Sequence, residues 1–247
     1  MSPASGPEES SPAASMVARQ AAVSGLVTLA LAIVGPVSLV AYSVETGVYL
    51  LAGAAAWALA VALKMGGGKL VGRTLDARMS AGWRAAASGA WSALTELGFT
   101  VPVFLAASKP LPLLDVFAVG LGAAAIEIVY LAVAGSLSRP VPPAPPPEWI
   151  EGAQRSLVIR HIFFTERMVA SAGHIAARAL IYLSVLRRTA GPGLLAFIAF
   201  AGIDGAAQYG ESRGWNRFSP LVASYYYGGV FAAVMAEAAV FFVYLPK

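Results

Sequence analysis

The sequence predicts an all-α fold: a polytopic transmembrane helix bundle of about seven spans with a polar cavity inside the membrane. Three observations carry that prediction. Hydrophobic residues fill 58% of the 247 positions and charged residues only 12%, about half the charged share of a soluble domain. The mean hydropathy is +0.70. The apolar residues are gathered in long runs separated by short charged loops. So few charges cannot cover a water-facing surface, which excludes an aqueous enzyme, a disordered regulator and a nucleic-acid-binding module. In hydrocarbon the backbone must satisfy itself, and runs of this length do so as helices. The absence of cysteine excludes disulfides, a thiol nucleophile, iron–sulfur clusters and thiolate metal sites.

Residues 1–18 are rich in Ser, Pro and Ala and carry no basic residue. They lack the positive start of a signal peptide and read as a disordered cytoplasmic tail; the transmembrane domain then covers 19–247. Seven apolar runs follow, near 21–42, 48–64, 85–107, 113–135, 163–186, 193–210 and 219–245. Lys64–Arg84 reads as a basic cytoplasmic loop against anionic headgroups, its MGGGKL lacking the spacing of a phosphate loop. Pro140–Pro147 (PVPPAPPP) reads as an extended spacer between spans four and five. Small residues recur at Gly53–Ala56, Ala85–Ala93 and Gly120–Ala125, as close helix approach in lipid requires. Tyr225, Tyr226 and Tyr227, followed by Gly228 and Gly229, read as packing aromatics near a bend.

Charge sets the orientation. With seven spans, eleven Lys and Arg lie on the N-terminal side and four on the other. The positive-inside rule then puts the N-terminus in the cytoplasm and the C-terminus outside, in a multi-pass protein of the cell membrane.

The ionisable residues inside the spans are the informative ones, because each must face the bundle and find a partner. Span three holds Glu96; span four holds Asp115 and Glu127; span five holds Glu166, Arg167, His174 and Arg178. Span six holds Asp204 and Gln208, and span seven Glu237. Arg167, His174 and Arg178 fall within about 20° of one line on a helix. That polar stripe must face other spans, and Glu96, Glu127 and Asp204 are its candidate counter-charges. Five acids in the other spans against two arginines imply protonated carboxylates or a bound cation. Glu237 either pairs with Arg178 or is protonated. His161 reads as an interfacial side chain beside Arg160.

Two readings of the stripe stand side by side. In one, the groups form a polar site holding a metal and a water, with His174 as ligand and a glutamate as general base. In the other, Arg167 and Arg178 make structural ion pairs that fix helix register.

Over about 45–247 the pattern resembles the YhfC-type intramembrane metalloproteases, relatives of the PrsW and CAAX-processing glutamate proteases. The resemblance rests on YLLAGAAAWALAVAL, DVFAVGLGAAAIEIV, ERMVASAGHIAARALIYLSV and IDGAAQ, in matching order and spans. Glu96 matches one glutamate of the family's third-span pair, Glu127 its fourth-span glutamate, and Asp204 its sixth-span aspartate. Glu166, Arg167 and His174 match the fifth-span motif in full. Leu97, Ala123 and Phe200 depart from it, the last two standing where the family has histidines. The resemblance implies peptide hydrolysis within the membrane, with Glu96, Glu127 and Glu166 as catalytic groups. His174 and Asp204 would be ligands of zinc, which would activate water while Glu96 takes the proton. The substrate would be a membrane protein. The alternatives are a non-catalytic relative that binds a partner helix or lipid in the same cavity, and a proton- or cation-coupled transporter.

Overall fold

The computed structural model describes residues 12–75, 79–138 and 145–245. Its elements follow the hydropathy of the chain. Two long helices, α1 (Pro12–Tyr42) and α2 (Val44–Leu75), meet at Ser43. The Ser43 hydroxyl accepts from the Thr46 amide at 3.2 Å, which caps the start of α2. α3 (Ala81–Leu105) and α4 (Leu113–Ser138) follow. Two short helices come next, α5 (Pro147–Arg155) and α6 (Leu157–Arg160). Three more long helices complete the chain: α7 (Ile162–Arg187), α8 (Ala190–Ser212) and α9 (Pro220–Tyr244). Among the described residues there is no strand.

Six of these helices, α1, α2, α4, α7, α8 and α9, are long and apolar enough to cross a membrane. Their outer faces agree: Leu26, Val34 and Val37 on α1, Ile198 on α8, and Phe242 and Val243 on α9 are each more than half exposed. Aliphatic surface on that scale belongs in hydrocarbon. The protein is an integral membrane helix bundle. α3 is equally long but carries Arg84, Ser88, Ser92, Thr95 and Glu96, and it lies among α2, α7 and α8.

The bundle is drawn together at small residues. A methyl group at Gly53 of α2 would sit 1.9 Å from the Val119 carbonyl oxygen of α4, and one at Gly122 of α4 would sit 1.9 Å from that of Leu50. Only glycine allows these two backbones to touch, in both directions across the same interface. One end of the bundle is filled by a dry cluster that includes Phe104, Leu111, Val116, Leu180, Leu183 and Phe241. The other end is closed in part by α5 and α6. Trp149 stacks on Phe218, with ring centroids 5.5 Å apart, and donates to the Ile159 carbonyl at 3.2 Å.

Three boundaries differ from the sequence reading. α1 begins at Pro12, so 12–18, expected in the tail, are helical, because this stretch is Ala-rich and a proline is tolerated in a first turn. Residues 1–11 lie outside the described residues, as do 140–144 of the expected spacer. α2 runs to Leu75, so the first part of the expected basic loop Lys64–Arg84 is helix, Gly66–Gly68 included. Tyr225–Gly229 lie within the unbroken α9.

Candidate functional site

α7 carries the centre of the site. It starts after His161, where the backbone leaves helical geometry (φ −114, ψ 32), and the His161 Nδ1 lies 3.0 Å from the Ser24 hydroxyl of α1. A run of Ala, Leu and Ile then holds Glu166, Arg167, His174 and Arg178 on a continuous helix. The expected stripe does face inward: Arg178 is wholly buried and His174 is 5% exposed.

Its hydrogen bonds are specific. Arg178 Nη1 stands 2.7 Å from His174 Nδ1. A guanidinium has only donors, so Nδ1 accepts, and the ring proton sits on Nε2. Nε2 donates to Glu127 Oε2 of α4 at 2.6 Å. The other Glu127 oxygen accepts from Arg167 Nη1 at 2.5 Å, and Arg167 Nη2 donates to Glu166 Oε1 at 2.6 Å. On the far side of Arg178, Nη2 lies 3.5 Å from Glu96 Oε2 of α3. Glu96 Oε1 accepts from Lys64 Nζ of α2 at 2.5 Å. One network therefore ties together α2, α3, α4 and α7. Glycine again makes room: a methyl at Gly120 would lie 2.4 Å from the Ile175 Cα, so only glycine lets α4 come this close to α7 beside His174.

Of the candidate counter-charges, Glu96 and Glu127 meet the stripe, whereas Asp204 of α8 accepts from the Ser92 hydroxyl of α3. Asp115, near the other end of α4, accepts from Thr46 Oγ1 at 2.6 Å. Glu237 of α9 does not pair with Arg178, which is taken by His174 and Glu96; it is 1% exposed and without a hydrogen-bond or ion-pair partner among the described residues. Sequence reasoning does not place Lys64 in the site: it stands there at the junction of the second span and the basic loop. Its signal was present: a lone lysine that continues the helical run YLLAGAAAWALAVAL. Lys64, Arg167 and Arg178 match Glu96, Glu127 and Glu166 charge for charge.

These groups border an internal chamber of about 330 Å³ lined by Glu96, Glu127, Glu166, His174 and Asp204, with Glu237 on the same wall. A second cavity of about 510 Å³, walled by Trp91, Glu211, Trp215 and Arg217, shares Lys64, Glu166, Asp204, Tyr226 and Tyr227 with it. The two adjoin at these shared residues, and the outer one reaches the turn between α8 and α9. Tyr226 and Tyr227, expected only as packing aromatics, thus stand at the junction of the two cavities.

Zinc is a poor match to this donor set. Such a site needs about four converging donors. Here both His174 nitrogens and both Glu127 oxygens are engaged by protein groups, and Phe200 stands beside the imidazole with centroids 5.8 Å apart. Ala123, the other position where the resemblance expects a histidine, is fully buried one turn before Glu127. Among the described residues no three His, Cys, Asp or Glu side chains are grouped to hold a metal ion. In comparisons with known proteins, no family model, no curated protein and no solved structure matches this chain.

Proposed function

We propose that this integral membrane protein is a non-catalytic relative of the YhfC-type peptidases, a ligand-binding bundle whose charged centre holds the helices in register. A single observation supports the reading most strongly. Each carboxylate expected to act in catalysis, Glu96, Glu127 and Glu166, is engaged by a cationic side chain, and His174 is bonded through both nitrogens. A general base needs a free lone pair facing water, and a ligand set needs open donors. The imidazole has no open donor and the carboxylates are held by cations, with Glu96 Oε2 facing Arg178 at 3.5 Å without a hydrogen bond, whereas the chamber beside them is open. In this reading the seven long helices all span the bilayer, with the N-terminus cytoplasmic. The chamber mouth beside Arg213 and Arg217 then opens toward the cytoplasm. The cysteine-free chain allows that to be read by single introduced cysteines at Ser212 and Ser43, labelled from either side of intact vesicles.

A hydrolase is the second reading, because five candidate catalytic and ligand residues line one chamber. It requires Arg178 to release Nδ1 of His174. Metal analysis of the purified protein separates the two. The binding bundle predicts substoichiometric zinc, and His174→Ala and Glu127→Gln variants that lose thermal stability. About one zinc per chain, lost in both variants, together with cleavage of a transmembrane peptide, would overturn it in favour of the hydrolase.

A further inference from the structure

The ion pairs leave one residue unexplained. Three cations answer three glutamates, Asp204 takes the Ser92 hydroxyl, and Glu237 is left with nothing. A lone carboxyl group deep in an apolar helix is expensive unless something meets it. Its neighbours on α9, Val230, Val234 and Phe241, are apolar and buried, so the protein itself offers no help. Glu237 does line the chamber, and the chamber is large. Its 330 Å³ is about ten times the volume of one water molecule in the liquid.

The chemistry of the wall narrows what could fill it. A bare metal ion wants several converging oxygens, and none of the described acidic side chains is grouped in that way. A primary ammonium brings three N–H donors, but of the described carboxylates lining this chamber only Glu237 is wholly without partners. The remaining wall includes the paired cations Lys64 and Arg167 and the aromatic side chains Trp57, Tyr130 and Phe200; Tyr226 and Tyr227 line it too, but about three turns of α9, roughly 15 Å, from Glu237. One carboxylate among aromatic rings suits a cation that has no hydrogen to donate and is held by ring faces and by charge. Resting on the reading of the chamber as a binding site, we infer that it takes a quaternary ammonium group, its charge met by Glu237. The trimethylammonium group can arrive on a free solute or on a lipid headgroup; the recognition chemistry is the same.

The test uses the full chain in phosphatidylglycerol nanodiscs, titrated with choline and, separately, with its neutral isostere 3,3-dimethylbutanol. Tryptophan fluorescence and Tm are read together. Choline should change the fluorescence saturably and raise Tm, and the isostere should bind at least tenfold more weakly. Glu237→Gln should weaken choline at least tenfold, while Glu237→Asp, which keeps the charge, retains part of the affinity and guards against a folding defect. Trp57→Leu should weaken it severalfold. Nanodiscs containing phosphatidylcholine identify the source: if the headgroup is the ligand, they raise Tm without added choline and blunt the titration. Equal binding of choline and the isostere, an unaltered titration in a folded Glu237→Gln variant, or no response to choline in either lipid would each overturn the inference. Failure here with no zinc and no cleavage would leave the binding-bundle reading standing. Zinc and cleavage would overturn that reading independently of choline.

Discussion

The two halves of this bundle are built from the same helices but held by different physics. α7 shows the contrast within one element. From Glu166 to Arg178 it presents charge to α3 and α4; from Ala179 to Leu183 it presents a fully apolar face to the cluster with Phe104 and Phe241. In the dry half the buried polar groups are few and are met by neutral partners, Asp115 by the Thr46 hydroxyl and Tyr182 by the backbone of Leu111 at 2.8 Å. In the polar half three cations face five carboxyl groups around the chamber; Asp204 is met by the Ser92 hydroxyl and Glu237 by nothing among the described residues. The dry half positions helices by shape. The polar half needs charge to set its register, and by that route keeps a chamber open.

The comparison can be broken most forcefully at Arg178. Arg178→Met leaves Glu96 and His174 facing one another without their cation, and should cost about 3–5 kcal/mol. A fall in Tm and a loss of coupling to Glu96→Gln in a double-mutant cycle would be the readout. In the dry half, Leu180→Ala should cost about 2–5 kcal/mol through the cavity it leaves, and it should be insensitive to Glu96→Gln. Coupling between Leu180 and Glu96 would show that the halves are not independent. Gly122→Ala should cost about 1–3 kcal/mol by forcing α4 off α2, seen as a lower Tm for the same reason in either half. Glu237→Gln separates the halves by size. Without ligand it replaces a buried, unpartnered carboxyl group by a neutral amide and should change stability by about 1 kcal/mol at most; a large loss would mean that Glu237 has a structural partner. The smallest effect belongs to Arg188, which ends α7 in left-handed geometry at φ 54. Arg188→Gly should raise stability by about 0.5 kcal/mol, detectable as a small rise in Tm.

Much of the fold was legible because hydropathy is a local signal. Each of the seven apolar runs corresponds to one long helix, with ends displaced by a few residues, except the start of α1 and the end of α2, which lie about two and a half and three turns beyond the runs. The inward stripe of Arg167, His174 and Arg178 was legible for the same reason, since helical periodicity alone puts them on one face. Their pairing with Glu127 and Glu96 was half legible: a buried cation demands an acid, but spacing cannot say which. Lys64 was not legible as a site residue, because its role depends on α2 packing beside α3, a non-local contact that includes Gly67, where a methyl group would lie 3.0 Å from the Trp91 ring. The isolation of Glu237 is equally non-local, being a statement about what Arg178 already holds. α5 and α6 were missed because nine- and four-residue helices leave no hydropathy run to detect.

The polarity of α3 bears on how the molecule is made. This helix has the length of a span but not the apolarity, and its most extensive neighbour is α8. The ribosome delivers α3 well before α8 exists. A segment with Arg84, Ser88, Ser92 and Glu96 gains too little from lipid to stay there unaided. In the seven-span reading its residence in the bilayer should therefore be provisional until α8 is synthesised and covers it. Nascent chains stopped before Ala190 should expose a glycosylation tag beside α3 in a mixture of positions, and chains extended past Ser212 in one. Biogenesis would then be a late docking event, with the Ser92–Asp204 contact as its seal.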